Sequence, residues 1–312
     1  MKTALFTHPA CLEHELPVGH PECADRLRAI HWALEAEEFQ SLDRREAPRA
    51  SLEAIVRVHS AKMIAAIFDA IPTIDSGIPH VLLDADTIVS PGSGEASLRA
   101  AGAVIAAVDA VIAGEAANAF CAVRPPGHHA ERDAPMGFCL FNNVAIGALH
   151  ARAVHGLERI AVVDFDVHHG NGTQHSFEAD RDLFYLSTHQ MPLYPGTGYP
   201  SERGRHGNIL NLPLSPGAGS AEFRASMLEA GLPALEAFAP DLLLISAGFD
   251  AHAWDPLAGL ALETADFAWI THELMALARG SAKSRIVSTL EGGYDLEALA
   301  RSAAAHVAAL MA

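Results

Sequence analysis

Short apolar runs recur along the chain, and segments with helical spacing alternate with them. Several of these runs are apolar almost throughout, as strands buried on both faces of a parallel sheet are. We predict strands at Thr3–Phe6, Ala119–Val123, Arg159–Phe165, Leu183–Ser187, Ile209–Leu212, Leu242–Ser246 and Arg285–Leu290.

The segments between these runs predict helices. They are the alanine-rich Glu95–Ala113, Ser220–Phe238 with Ser220 as the expected N-cap, Thr264–Ala278 with apolar residues at helical spacing, and Leu296–Met311. Alternating strands and helices predict an α/β fold with a central, mostly parallel sheet flanked by helices on both faces. Because no repeat or composition break interrupts residues 1–312, we expect one domain.

Polar clusters follow four of the predicted strands. They are Arg124–Ala130, Asp164–Thr173, Ser246–Pro256 and Glu291–Tyr294. In open α/β sheets, ligands bind outside the carboxyl ends of the strands. We therefore expect these four loops, rich in His, Asp, Gly and Tyr, to converge on one site.

The loop after Arg159–Phe165 carries the strongest chemical signal. Asp164, Asp166 and His168 alternate at i, i+2 and i+4, so an extended backbone presents them on one side. Unpaired buried charge is costly, and a divalent cation would satisfy all three groups. Mixed nitrogen and oxygen ligands suit zinc. A solvated Asp/His loop is the alternative.

The other three clusters are weaker signals when each is taken alone. A glycine precedes the adjacent His128 and His129 and allows a close backbone approach. Asp250, just past a predicted strand, can complete a metal site or simply cap a turn. Gly292 and Gly293 would let the hydroxyl of Tyr294 reach into a site.

Composition narrows the class of protein. The net charge of -17 argues against a nucleic-acid partner and suits a neutral or cationic substrate. Four scattered cysteines predict free thiols rather than a disulfide framework. Because neither a signal peptide nor a membrane span is evident, we expect a soluble, cytoplasmic protein without a membrane partner.

Taken together, these motifs resemble the zinc-dependent histone deacetylase family, which has the arginase–deacetylase fold. The resemblance runs from His20-Pro-Glu to Tyr294 and includes RPPGHH, DFDVHHGNGTQ, SAGFDAH and LEGGY in the order of the family. The GNGTQ and LEGGY forms are similar to the class II branch and to bacterial deacetylase-like amidohydrolases, including acetylpolyamine amidohydrolases. The resemblance implies one catalytic domain over residues 1–312.

The resemblance also implies the metal site and the group that polarises the substrate. Asp166, His168 and Asp250 would be the ligands of one Zn²⁺ ion. Tyr294 would polarise the carbonyl of the substrate.

The paired histidines receive their roles from the same resemblance. His128 and His129 would lie beside the metal-bound water, and Asp164 would orient His128. Asn171 occupies the position at which class I members carry an aspartate paired to the second histidine. This departure favours His129 as the general base, because a histidine without a carboxylate partner stays neutral nearer pH 7.

The walls of the substrate tunnel are matched more loosely. Gly137, Phe138 and Tyr194 resemble residues that hold the acyl-lysine stem, although ordinary packing explains Tyr194 equally well. The acidic residue that anchors the substrate backbone in class I members has no clear match, and neither Asp84 nor Asp86 is assigned to that role.

Further residues resemble structural potassium sites. The backbone around Asp164, Asp166 and His168, with Ser187 and Thr188, resembles a first K⁺ site, and Phe177, Asp180, Leu183 and Asn208 resemble a second. Two other histidines, His14 and His20, are expected on the surface rather than at the tunnel mouth.

The expected activity is zinc-dependent hydrolysis of an amide, which releases the acyl group of an acylated amine such as acetyl-lysine or an acetylpolyamine. The substrate is therefore a small acylated amine or an acyl-lysine peptide, and the sequence does not choose between them. The chain can also form a homo-oligomer. Two alternatives stay open: an arginase-like ureohydrolase with two manganese ions, and a catalytically silent zinc scaffold that binds acylated ligands.

Overall fold

A parallel sheet runs through the centre of the computed structural model, which describes residues 2–312. The strands in this part of the chain are β1 (Thr3–Thr7), β2 (Asp43–Glu46), β3 (Val81–Leu82), β4 (Ile88–Val89), β5 (Asn118–Cys121), β6 (Ile160–Asp164), β7 (Leu183–Gln190), β8 (Ile209–Leu214), β9 (Leu242–Ala247) and β10 (Ile286–Leu290). Eight of them form the main sheet in the order β2-β1-β5-β10-β9-β6-β7-β8, whereas β3 and β4 form a separate antiparallel pair. The prediction of a central parallel sheet is confirmed.

Helices cover this sheet in two packed groups. They are α1 (Ala24–Ala33), α2 (Leu52–Ile55), α3 (Ala61–Ala70), α4 (Ser93–Ile112), α5 (Asn143–His155), α6 (Asn171–Phe177), α7 (Ser220–Ser226), α8 (Leu232–Phe238), α9 (Thr264–Gly280) and α10 (Leu296–Met311). Helices α4 and α5 pack on each other, and α10 packs between α1 and α9. No helix among the described residues has the length and apolar character needed to cross a bilayer.

All seven predicted strands are present, with ends that differ by a few residues at most. The edge strand β2 was missed because its residues, Asp-Arg-Arg-Glu, carry no apolar pattern. The predicted helix Ser220–Phe238 is divided into α7, a π-helical turn over Met227–Gly231, and α8. Its N-cap is Gly219, not Ser220, whose hydroxyl instead donates to Asp266 at 2.6 Å.

The order of the strands explains why the four polar loops meet. Strands β5, β10, β9 and β6 are neighbours at the centre of the sheet, and every residue in them is buried. Because they are parallel, their carboxyl ends share one edge, and each is followed by one of the polar clusters. The expected convergence of the four loops is confirmed.

Candidate metal centre and active site

Three potential metal ligands converge where β6 and β9 end. One ligand atom each from Asp166, His168 and Asp250 lies within 4.8 Å of the others, and all three residues are buried. Nδ1 of His168 is 3.2 Å from Oδ1 of Asp166 and 3.2 Å from Oδ2 of Asp250. The structure thus brings together the residues that the sequence predicts as zinc ligands.

Backbone groups orient both carboxylates towards this common centre. The N–H of Gly292 donates to Oδ2 of Asp166 at 2.8 Å, and the N–H of Val167 donates to Oδ1 of Asp250 at 2.9 Å. A Cβ atom at Gly292 would lie 2.0 Å from Oδ2 of Asp250, so only glycine fits there. Each carboxylate therefore keeps its other oxygen directed at His168.

The charges of this cluster are strongly coupled. Burial, reinforced by the charge of Asp166, raises the pKa of Asp250 to about 7. Burial alone would lower the pKa of His168, but hydrogen bonds to Asp166 and Asp250 outweigh it and raise the pKa to about 10. Two buried carboxylates in contact with one imidazole require a positive charge, from protons or from a cation.

The paired histidines lie beside the cluster and have different partners. Nδ1 of His128 is 3.0 Å from Oδ2 of Asp164, and the Tyr185 hydroxyl donates to the same oxygen at 2.9 Å. Nδ1 of His129 is 2.8 Å from Oδ1 of Asn171. The two imidazole rings are 4.0 Å apart between centroids.

These partners give the two histidines opposite pKa shifts. Burial would lower the pKa of His128, but the carboxylates of Asp164 and Asp166 outweigh burial and raise the pKa to about 10. Burial and the neighbouring His128 and His168 lower the pKa of His129 well below its usual value. One imidazole is therefore held as a cation and the other as a neutral ring.

Tyr294 follows β10 and is held through its backbone. Its N–H donates to Asp255 at 2.7 Å, and the preceding Gly293 has a φ of 121°, which favours glycine. The Arg26 guanidinium lies 4.9 Å from the centroid of the Tyr294 ring and donates to the carbonyl oxygen of Gly293 at 2.6 Å. Burial raises the pKa of Tyr294, so its phenol remains protonated and able to donate.

A cavity of about 230 Å³ leads to these groups. Its lining consists of Asp86, His129, Gly137, Phe138, His168, Leu193, Tyr194, Leu257 and Tyr294. The predicted wall residues Gly137, Phe138 and Tyr194 are thus all on its surface. Two edge-on pairs of rings narrow the cavity. The ring centroids of Phe138 and Tyr294 are 6.0 Å apart, and those of Tyr194 and His129 are 5.1 Å apart.

Asp86, which the sequence left unassigned, lines this cavity. Its Oδ1 accepts from the N–H of Gly137 and from the Thr87 hydroxyl, both at 3.0 Å. The carboxylate therefore holds the backbone of the tunnel wall as well as adding negative charge to the rim. The sequence shows Asp84 and Asp86 as a pair of nearby acids. It does not show the contact of Asp86 with Gly137, because the two residues are far apart in the chain.

Two buried acids lie in motifs that the sequence singles out, but the sequence assigned neither of them a role. Glu291 accepts from the N–H groups of Gly127 and His128, at 2.7 and 3.2 Å, and from the Ser246 hydroxyl at 2.9 Å. Glu22 pairs with the buried guanidinium of Arg124. The partners of Glu291 lie at least 45 residues away, whereas Glu22 pairs both with the distant Arg124 and with Arg26 four residues along the chain.

The residues of the second expected potassium site do not fit an ion in this arrangement. Nδ2 of Asn208 donates to the carbonyl oxygens of Phe177, Asp180 and Leu183, at 2.9, 3.0 and 2.7 Å. A side-chain amide thus occupies the centre of the three carbonyls. At the first expected site, Ser187 and Thr188 are buried on β7, and the Ser187 hydroxyl pairs with His189 at 2.9 Å.

The expectation of a surface position is wrong for His14. It is fully buried, with Nδ1 2.7 Å from the Ser93 hydroxyl and Nε2 3.6 Å from Glu22. His20 is partly exposed and packs edge-on against Phe138 at 4.8 Å, beside the cavity wall.

A second group of ligand-type side chains lies away from this site, between α4 and α5. Nε2 of His150 and Nε2 of His155 are each 2.6 Å from Oδ1 of Asp109. These distances are those of hydrogen bonds to one carboxylate oxygen. Any count of metal ions bound to the protein has to separate this group from the first.

Comparison with known proteins agrees with this fold. The histone deacetylase domain model matches residues 20–310. The chain is 42% identical over 323 residues to histone deacetylase 14, chloroplastic, of Arabidopsis thaliana, covering 98% of this chain and 76% of that protein. It is 40% identical over 318 residues to the histone deacetylase-like amidohydrolase of Pseudomonas aeruginosa, covering 94% and 82% respectively.

A solved structure gives the same result. The HD domain of HDA15 superposes with a TM-score of 0.92 at 34% identity, covering 99% of this chain and 88% of that one. Fold and relatives together define a hydrolase of the deacetylase and amidohydrolase class. The chain belongs to the histone deacetylase family.

Proposed function

We propose that this protein is a zinc-dependent amidohydrolase that removes an acyl group from an acylated amine, with residues 1–312 as one catalytic domain. The observation that carries the proposal is the buried cluster of Asp166, His168 and Asp250, whose His168 lines a cavity together with His129 and Tyr294. Acetyl-lysine peptides and acetylpolyamines are the substrate classes that we propose.

The donor set fits a zinc ion. Two carboxylates and one neutral imidazole balance the charge of a Zn²⁺ ion, and a catalytic zinc site has three protein ligands and one open position. Nδ1 of His168 is 3.2 Å from one oxygen of each carboxylate, and backbone N–H groups already occupy the other oxygen of each. A zinc ion bound there would supply Lewis acidity to a water molecule and to the carbonyl oxygen.

His129 is the proposed general base. Its ring lines the cavity and stays neutral, so Nε2 can take a proton from the attacking water and later return it to the leaving amine. His128, held as a cation by Asp164, contributes positive charge beside the developing oxyanion.

Tyr294 is the proposed hydrogen-bond donor to the carbonyl oxygen of the substrate. Its phenol stays protonated, and Tyr294 lines the same cavity as Tyr194 and His129. The donor gains strength as that oxygen acquires negative charge, which stabilises the transition state more than the bound substrate.

The cavity supports a slender acyl-amine chain as the substrate. Its volume of about 230 Å³ is below the 300–1,000 Å³ that is usual for drug-sized ligands, and its wall is largely aromatic and aliphatic. The carboxylate of Asp86 at the rim favours an amine or amide N–H over an acidic group.

The test combines metal content with acetate release for the purified full chain. The donors are an acetyl-lysine peptide, an acetylpolyamine and a longer acyl-lysine peptide. We expect one zinc ion per active site, and we expect both zinc and activity to be lost in Asp166→Ala and Asp250→Ala. The matched control Asp109→Ala removes an aspartate from the remote group and should retain both.

The alternatives give different results. Two manganese ions that are both lost in Asp166→Ala, together with release of urea from a guanidinium substrate, would indicate an arginase-like ureohydrolase. Zinc binding without acyl release from any donor would indicate a silent scaffold. Either result would contradict the proposed function.

A further inference from the structure

A chain of hydrogen bonds runs from His129 to the protein surface. Nδ1 of His129 contacts Oδ1 of Asn171 at 2.8 Å, and Nδ2 of Asn171 donates to Oε1 of Glu131 at 2.5 Å. The other carboxylate oxygen, Oε2, accepts from Nδ1 of the half-exposed His175. Three side chains thus connect the imidazole of His129 to solvent.

The chemistry of the groups gives this chain a direction. An ionised carboxylate only accepts hydrogen bonds, so Asn171 has to present its NH₂ group to Glu131. The amide oxygen of Asn171 then faces His129 and accepts from it. His129 must therefore carry its proton on Nδ1, which leaves the lone pair of Nε2 free.

Glu131 is the strongest acceptor that fixes the orientation of Asn171. The side chain of Asn171 is 3% exposed, so water cannot replace lost partners easily. The other acceptors near Nδ2 are the carbonyl oxygen of His129 at 3.4 Å and the thioether sulfur of Met136 at 3.3 Å. Both are weaker than a carboxylate.

We propose that Glu131 is a positioning residue that sets the tautomer of His129 through Asn171. This inference rests on the proposed function in one respect, since it assumes that His129 acts as the base. The neutral amide of Asn171 contacts the imidazole of His129 directly, and the negative charge of Glu131 lies beyond that amide. The orientation is thereby fixed without the charge that would make His129 a cation.

Exchanging the carboxylate of Glu131 and the amide of Asn171, first one at a time and then together, tests the proposal. Glu131→Gln can present either its oxygen or its NH₂ to Asn171, so the orientation of Asn171 is no longer fixed. Partners at this distance from a reacting centre typically contribute 10- to 100-fold. We expect kcat to fall about tenfold, with KM within about twofold and zinc content unchanged.

The second single variant of this double-mutant cycle is Asn171→Asp. It places two carboxylates in contact and should also lower kcat by about tenfold or more, because like charges there repel. The double variant Glu131→Gln/Asn171→Asp restores one donor and one acceptor in reversed order. We expect a kcat above that of either single variant, a coupling that independent structural damage would not produce. It should stay below the wild type, because a carboxylate then contacts His129 and favours its cation.

Asp133→Asn is the matched control. It removes the same charge from an exposed residue of the same loop and should leave kcat within about twofold. A Glu131→Gln variant as active as Asp133→Asn would overturn the proposal, and so would a double variant no better than the single ones.

A readout that needs no turnover separates this inference from the proposed function. In the ¹⁵N-histidine-labelled, zinc-loaded full chain, the ring nitrogens of His129 are assigned by their loss in His129→Gln. We expect the Nδ1–H tautomer in the wild type and a tautomer mixture in Glu131→Gln. An Nε2–H tautomer in the wild type would overturn the inference. If the wild type shows the Nδ1–H tautomer and Glu131→Gln shows the mixture, but no acyl donor is hydrolysed, then only the proposed function is contradicted.

Discussion

Two adjacent histidines with different partners define the site at the scale of single residues. His128 contacts the carboxylate of Asp164, whereas His129 contacts the amide of Asn171. A charged partner stabilises the imidazolium and a neutral partner does not. The same side chain can therefore serve as a fixed cation in one position and as a base in the next.

His129→Ala should reduce turnover by more than about a hundredfold while zinc remains bound. A general base contributes about 10²–10⁴ in rate, and burial and the neighbouring histidines lower the pKa of His129, so its ring is neutral and available as a base at neutral pH. The measurement is kcat with metal content for His129→Ala and His128→Ala side by side. A larger loss in His128→Ala would reverse the two assignments.

Tyr294→Phe should remove most of the activity and little else. Loss of one donor to an oxyanion costs about 10²–10³ in kcat, or roughly 3–4 kcal/mol. Removing one oxygen atom leaves the ring over Arg26 and the backbone bond to Asp255 in place, so zinc content and thermal stability should hardly change. Turnover within a few fold of the wild type would exclude Tyr294 as the donor.

Motif residues could be found from the sequence because they lie close together in the chain. The alternation of Asp164, Asp166 and His168 is a local pattern, and it indicated the site. The extended course expected for it is wrong, because the chain bends after β6 and Asp164 contacts His128 instead of the ligand cluster. Glu131 and Glu291 could not be found in this way. Their contacts depend on which loops meet across the sheet, and a single acidic residue in a loop usually has no such partner.

At the scale of secondary structure elements, Asn208 links the start of β8 to the turn between α6 and β7. It lies just before β8, and its amide nitrogen donates to carbonyls around the end of α6 and the start of β7. The amide satisfies oxygens that the resemblance assigned to a potassium ion. One neutral side chain thereby joins the α6–β7 turn to the start of β8.

Asn208→Ala should lower the free energy of unfolding by about 1–3 kcal/mol, the usual cost of leaving buried polar groups unpaired. The vacated space is surrounded by carbonyl oxygens, so potassium should stabilise the variant more than it stabilises the wild type. The measurement is denaturant unfolding in potassium chloride and in tetramethylammonium chloride at equal ionic strength. An equal potassium effect in both proteins would contradict this reading of Asn208.

Elements with a strong periodic pattern were predictable, and those fixed by tertiary contacts were not. The apolar strands β6 and β9 and the helix α10 follow from their sequences alone. Strand β2 forms because β1 offers it a parallel partner, and Arg45 lies 5.8 Å from the centroid of the Phe6 ring. The residues of β2 alternate between partly buried and exposed, but none of them is apolar, so the sequence carried no strand signal.

Net negative charge is the main electrostatic property of the whole molecule. The charge of -17 attracts cations over distances set by screening, and the rim carboxylate of Asp86 adds to it at the cavity. Attraction of this kind changes encounter rates rather than the chemical step, so it should appear in kcat/KM more than in kcat.

Cationic acyl amines should therefore be hydrolysed with a higher kcat/KM than acidic ones at low salt. The Debye length falls from about 30 Å at 0.01 M to about 3 Å at 1 M ionic strength, so the ratio should shrink as salt is added. Matched acetyl-lysine peptides with basic or acidic neighbours provide the measurement. Asp86→Asn separates the rim charge from the global charge. Equal values of kcat/KM at low salt would contradict electrostatic steering.

The position of β10 between β5 and β9 also determines the order of events during folding. Strands β5 and β6 are made early in the chain, but the gap between them is filled only by β9 and β10, which are synthesised last. Asp250 and Gly292 arrive with these late strands, so the metal cluster cannot mature on the partly synthesised chain. Until then the apolar edges of β5 and β6 are unpaired, and the nascent protein is most prone to aggregate in that interval.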